Sequence, residues 1–110
     1  MAQQKVKLGI LLPTRGLLMA EKKPEDADSV LAMAEAVEEA GLDSVWVGDS
    51  LTAKPRLEPI TILAAVAART QRVRLGTAVL LGALRHPVLL AHAVGTLDMI
   101  SRGRTVLAVG

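Results

Sequence analysis

Four short runs of branched aliphatic residues, separated by three stretches of helical periodicity, constrain this chain more than any other feature. Residues 6–12 form an apolar run broken only by Lys7 and Gly9 and ended by Pro13. Residues 44–48 (Ser-Val-Trp-Val-Gly) form a second run, 73–81 a third rich in Val and Leu, and 105–109 a fourth. Such runs read as strands buried on both faces. Between them, Ala27, Val30, Leu31, Ala34, Val37 and Ala40 recur at three- and four-residue spacing, with Glu35, Glu38 and Glu39 on the opposite, solvated side and Gly41 as the stop. A second helix starts at Glu58-Pro59, with proline in its first turn, and runs to about Arg69. A third runs from Pro87 to Ser101-Arg102 and stops at Gly103; Gly95 inside it points to close helix–sheet packing.

Strand starts lie about 30 to 40 residues apart, the length of a β-α-β unit. Right-handed crossovers then predict four parallel strands near 6–12, 44–48, 73–80 and 104–109, with three helices on one outer face. Residues 1–110 are read as a single α/β domain. The irregular segment 14–24 follows the first strand, at the strand end where α/β proteins place ligands.

Composition removes several function classes. There is no cysteine, so disulfides, thiolate metal sites and thiol catalysis are excluded, and a cytoplasmic home is the expectation. Two histidines are too few for a histidine metal cluster, and no metal site is expected. The longest stretch free of Asp, Glu, Lys and Arg is the 12 residues 86–97, well short of the roughly 20 a membrane span needs. The formal charge is only +2 and Trp46 is the sole aromatic, so no platform for nucleic acid is present. Trp46 is expected to fill space beneath a helix. No phosphate-binding glycine loop follows any strand.

Charge is uneven: residues 61–110 carry six arginines against the single acid Asp98. These arginines read either as solvated helix ends or as an anion or contact surface. Asp98 and Arg102, four apart, are placed to pair on one helix face. His92 is expected to pack within its helix.

Two architectures fit four strands and three helices: a small doubly wound sheet with the first strand central, or consecutive staves of a (β/α)8 barrel with strands in sequential order. Five segments decide between them. Lys7-Leu-Gly-Ile-Leu-Leu-Pro13, Gly41-Leu-Asp-Ser-Val-Trp-Val-Gly-Asp49, Thr70-Gln-Arg-Val-Arg-Leu-Gly-Thr-Ala-Val79, Arg85-His-Pro87 and Thr96-Leu-Asp-Met-Ile-Ser-Arg-Gly-Arg104 occur in that order. Together they resemble the luciferase-like family of flavin-dependent oxidoreductases, over nearly the whole chain from about Lys7. The resemblance implies the first half of a TIM (β/α)8 barrel: four β/α units without the last helix. It implies oxidoreductase or monooxygenase chemistry on FMN or a deazaflavin (coenzyme F-420), with a small-molecule substrate.

The resemblance also implies a site. Asp49, ending the second strand, stands where relatives carry an acid near the flavin ring or substrate. Ser50 replaces the histidine that follows that acid in deazaflavin-using relatives. Thr77, Ala78, Val79 and Gly110 would face the cofactor, with a non-proline cis peptide at Ala78–Val79. Thr14, Arg15 and Ser50 would face the substrate. For Asp49 the competing reading is a local turn cap, while the site reading expects the fold to gain little from its carboxylate; for 76–79 the competing reading is an ordinary buried strand. Arg85-His86-Pro87 reads either as an anion site at a helix N-terminus or as a simple helix-starting turn. Half a barrel would leave Leu8, Ile10, Val45, Val47, Val79 and Val106 without their covering half. Self-association as a homo-oligomer, or pairing with a partner half-barrel, is therefore the expectation, and a non-catalytic self-associating fragment is the alternative function.

Overall fold

The computed structural model describes residues 5–15, 23–52 and 56–110. The elements are β1 (Gly9–Leu11), α1 (Pro24–Glu39), β2 (Ser44–Val47), α2 (Pro59–Arg69), β3 (Arg74–Thr77), a 3-10 turn (Gly82–Leu84), α3 (Pro87–Ser101) and β4 (Thr105–Val106). All strands are parallel and their order is β1-β2-β3-β4. A doubly wound arrangement with the first strand central is thereby excluded.

The helices start where the chain offers proline and a capping group. Glu58 accepts hydrogen bonds from the amides of Ile60 (3.1 Å) and Thr61 (2.8 Å), with Pro59 at the first helical position. His86 Nδ1 accepts from the Val88 amide at 3.2 Å in front of Pro87. α1 begins at Pro24, ahead of the apolar pattern that starts at Ala27, because its first turn is polar. Asp26 there accepts from the Lys23 amide at 3.1 Å. Gly41 and Gly103 end α1 and α3 at φ of +80° and +79°, the left-handed region a glycine enters without strain.

The strands are shorter than their apolar runs, because side chains take over part of the pairing. Asp43 Oδ2 accepts from the Leu8 amide (2.7 Å) ahead of β1. Beyond β3, the Thr77 hydroxyl donates to the Ala108 carbonyl (2.9 Å) and accepts from the Ala108 amide (3.0 Å), replacing a ladder bond. The Ala78–Val79 peptide is cis, and pairing resumes at a bridge between Leu80 and Val109.

Register decides which side chains meet the helices. Ile10, Leu12, Val45, Val47, Val73 and Leu75 pack with Val30, Leu31, Ala34 and Val37 of α1, Leu63 and Val66 of α2, and Leu97 of α3. All three helices therefore lie on one face of the sheet. Alternation sends Gly9, Leu11, Ser44, Trp46, Gly76 and Val106 to the other face. Ile10, Val45 and Val47 thus belong to the helix side, contrary to the expectation that they face a barrel interior; Val106 lies on the open face.

Trp46 likewise does not sit beneath a helix. Its indole lies on the open face across two neighbouring strands, donating from Nε1 to Ser44 Oγ at 2.8 Å. Gly9 and Gly76 make room for it, since a Cβ on either would overlap the ring.

Other expectations are corrected by helix ends. Arg102 adopts the left-handed conformation (φ 56°) as the C-cap of α3, which carries its side chain off the Asp98 face; no ion pair joins the two. Gly95 has open space where a Cβ would stand, so close packing is not its reason. His92 is exposed, because α3 buries only Leu97 and Ser101. Glu38 is not merely solvated: its carboxylate accepts from the amides of Gln71 (2.9 Å), Arg72 (2.7 Å) and Val73 (3.0 Å).

Most of the arginine excess is structural. Arg104 donates to carbonyls of Ala67, Thr70, Val73 and Ser101, tying the ends of α2 and α3 below the sheet. Arg72 donates to the Glu38 and Leu42 carbonyls, and Arg69 makes an exposed pair with Glu35 at 3.2 Å.

Candidate functional site

The C-terminal ends of four parallel strands lie side by side, and each ends in residues with chemical potential. β1 leads through Pro13 to Thr14, whose carbonyl accepts from the Leu57 amide at 3.1 Å. The Thr14 side chain is fully buried, yet its Oγ1 has no hydrogen-bond partner among the described residues. Arg15 follows, partly buried; residues 16–22, most of the segment expected to reach a ligand, lie outside the described residues.

β2 leads through Gly48 to Asp49. Its carboxyl is 1% exposed, and it reaches far along the chain. Oδ2 accepts from the Leu81 amide at 2.9 Å and from Arg85 Nη1. Asp49 is therefore not a purely local turn cap, and the expectation that the fold gains little from its carboxylate is corrected too: the carboxylate ties the end of β2 to the turn that precedes α3. Oδ1 has no partner. Ser50 beside it is partly buried and engaged.

Arg85 is 16% exposed in its side chain. Nη1 also donates to the Leu81 carbonyl at 3.2 Å, and Nη2 lies 3.6 Å from Glu58 Oε1. Its guanidinium is turned inward to acids: Nη1 is spent on Asp49 and Leu81, while Nη2, though 3.6 Å from Glu58, is buried without a hydrogen-bond partner among the described residues. Arg56 is the second cation. Its guanidinium lies over Gly48, where a Cβ would come within 2.8 Å of Nη1, and its Nε is buried without a partner.

Electrostatics follow from this packing. Burial by itself would push the Asp49 carboxyl up. The Arg85 hydrogen bond, the Leu81 amide and the charges of Arg85 and Arg56 outweigh it and hold the group below the ordinary aspartate value. Arg85 is raised in turn, chiefly by its bond to Asp49.

β3 and β4 supply a different surface. Thr77 is buried and its hydroxyl is committed to Ala108, which leaves it a strand tie. Ala78 and Val79 are exposed immediately after it, with the Ala78 amide bonded to the Val47 carbonyl at 2.7 Å. Gly110 donates to the Leu80 carbonyl at 3.1 Å, and a Cβ there would press on Val79 Cγ2 at 2.6 Å. Ala78, Val79, Val109 and Gly110 thus form an exposed ledge of two small residues and two valines, while Val47, Asp49, Leu81 and Arg85 close its β2 side.

Sequence reasoning singled out Asp49, Ala78, Val79, Gly110 and Thr14, and the fold brings their strand ends together. It missed Arg56, which lies in a loop without a periodic signal, and the joining of Arg85 to Asp49 across 36 residues. Among the described residues no group of three or more His, Cys, Asp or Glu could hold a metal ion, and no helix is long and apolar enough to cross a membrane.

Comparison with known proteins matches residues 6–110 to the luciferase-like monooxygenase family. An F420-dependent glucose-6-phosphate dehydrogenase of Amycolatopsis mediterranei is 42% identical over 84 residues, covering 70% of this chain and 25% of its own length. Limonene 1,2-monooxygenase of Rhodococcus erythropolis is 33% identical over 82 residues, covering 73% and 21%. The solved structure of monooxygenase RslO1 from Streptomyces bottropensis superposes with a TM-score of 0.85 at 36% identity, over 96% of this chain and 33% of its own. The chain spans about a quarter of the length of the curated relatives it matches.

Proposed function

Since the chain belongs to the luciferase-like monooxygenase family, we propose that it supplies the first four strands of a (β/α)8 barrel oxidoreductase that works on a small molecule with FMN or coenzyme F-420. The sequential parallel order and the helices on one face support the barrel reading. The observation that carries the cofactor reading is the exposed Ala78–Val79 ledge, with Asp49 Oδ1 at the end of β2 and Thr14 Oγ1 at the end of β1 buried and without partners among the described residues.

The ledge fits a planar tricyclic ring. Ala78 and Gly110 keep side chains out of its way, and the Val79 and Val109 side chains offer apolar contact. When bound, such a ring supplies hydride transfer or, as reduced flavin, oxygen activation. This chain's residues orient and shield: the Ala78–Val79 backbone sets the plane, and Val79 excludes water from its edge. Asp49 Oδ1 accepts a hydrogen bond, and Thr14 Oγ1 offers a second polar contact. Arg15 and Ser50 border the side where a substrate would enter.

The test is a titration of the chain with FMN and with coenzyme F-420, followed by flavin fluorescence and absorbance. Binding of one of them should be weakened at least tenfold by Ala78→Leu, which fills the ledge. Absence of binding by either, or equal affinity in Ala78→Leu, would remove this assignment. A second reading, a non-catalytic self-associating half-barrel, is favoured by one feature: Leu11 on the open face is 58% exposed, and β1 and β4 are sheet edges.

A further inference from the structure

The Asp49 carboxylate is held by a neighbour rather than by its own strand, and that neighbour sets what the carboxylate can do. We infer that Arg85 is a positioning residue: its guanidinium fixes Oδ2 of Asp49 and leaves Oδ1 as the open acceptor, so that Asp49 receives hydrogen bonds from N–H or O–H groups of a ligand. The inference deepens the reading of the strand ends given above and rests on it for the ligand, but not for the Arg85–Asp49 relation itself.

The geometry supports this in three ways. Arg85 Nη1 bridges Asp49 Oδ2 and the Leu81 carbonyl, while the Leu81 amide donates to the same Oδ2. One oxygen is therefore gripped from two sides, and the carboxylate plane cannot rotate freely. Oδ1 is buried and unpartnered, which is costly unless a donor arrives. Arg85 is itself steered by Glu58, the N-cap of α2, whose Oε1 stands 3.6 Å from Nη2. The charged and titratable groups around Asp49 are thus Arg85, Arg56 across Gly48, and Glu58, with His86 occupied in capping α3. Two cations outweigh one acid near the carboxylate, so a proton on it is disfavoured.

The test needs no ligand. The Asp49 side-chain carboxyl is titrated by 13C NMR in the whole chain, with circular dichroism as the check of folding. The parent should titrate below the ordinary aspartate range. Arg85→Gln should raise the midpoint by about one unit, a tenfold gain in proton affinity, and Arg56→Gln by less, since Arg56 acts through charge alone. An unchanged midpoint in a folded Arg85→Gln chain would overturn the inference. Arg85→Lys is the second arm and serves if Arg85→Gln does not fold. It should keep the midpoint low by charge while shifting the Leu81 amide signal, because a flexible ammonium does not hold Asp49 Oδ2 and the Leu81 carbonyl in the geometry that Nη1 of the planar guanidinium does. A Leu81 signal unmoved in Arg85→Lys would overturn the positioning role. Failure of flavin binding would leave these results untouched, so the two readings fail separately.

Discussion

Two acidic side chains show how far a residue's role depends on partners distant in sequence. Glu38 sits on the polar side of α1 yet caps three consecutive amides ahead of β3. Burial alone would raise its carboxyl, but the amides of Val73, Arg72 and Gln71 and the charge of Arg104 hold it below the ordinary glutamate value. Asp49 is depressed in the same direction. In both cases the folded chain binds the proton less tightly than the unfolded chain. The stability they contribute is therefore complete above the ordinary carboxylate values, at about pH 4, and is lost as pH falls through the depressed ones. The urea midpoint should be nearly flat from neutral pH down to that range and drop below it. Glu38→Gln should cost about 2 kcal/mol at pH 7 and make that acid drop shallower. Asp49→Asn should cost about 2 kcal/mol or more, because it leaves the largely buried Arg85 without its anion. A parent-like midpoint for Asp49→Asn in equilibrium unfolding would show that the pair adds nothing to the fold.

At the scale of elements, β2 meets its two neighbours, β1 and β3, through a large residue against two small ones. Trp46 covers Gly9 and Gly76 on the open face, while Val45 and Leu75 fill the helix side. Gly76→Ala should displace the indole and cost roughly 1–3 kcal/mol by overpacking. Because Trp46 is the only aromatic residue, its fluorescence reports this contact without interference. A red-shifted, more quenchable emission in Gly76→Ala is the expected signal. On the helix side, Leu63→Ala should cost about 2–5 kcal/mol, since Leu63 is wholly buried between the helices and sheet. α3 behaves differently. Val88, Leu89 and Met99 are exposed along it, and beside it lies a groove of about 510 Å³ lined by Leu90, Val94, Leu107 and Val109.

For the whole molecule, one face of the sheet is covered and the other is open. Leu11 and the half-buried Trp46 face outward there, and β1 and β4 each lack a neighbour on one side. We propose that these 110 residues associate, with a second copy or with a partner half-barrel, over that open face. Sedimentation velocity should show a concentration-dependent rise in mass, with a blue shift of Trp46 emission in parallel. A stable monomer at high concentration with unshifted emission would refute it.

The sequence by itself determined the element order, the parallel sequential sheet and the strand ends that carry Asp49 and Ala78–Val79. These depend on local signals: apolar runs, prolines at Pro59 and Pro87, glycines at Gly41 and Gly103, and short motifs that resemble a known family. It did not determine which face each strand residue takes. Val45 and Trp46 are neighbours in one run, and only the register of three strands against the helices sends the valine into the core and the indole to the open side. Nor did it determine the charge network, because a carboxylate's partner is chosen by space: Arg85 lies 36 residues from Asp49, and Gln71 lies 33 from Glu38. Tertiary structure alone brings such pairs within bonding distance, where burial and neighbouring cations fix their charge.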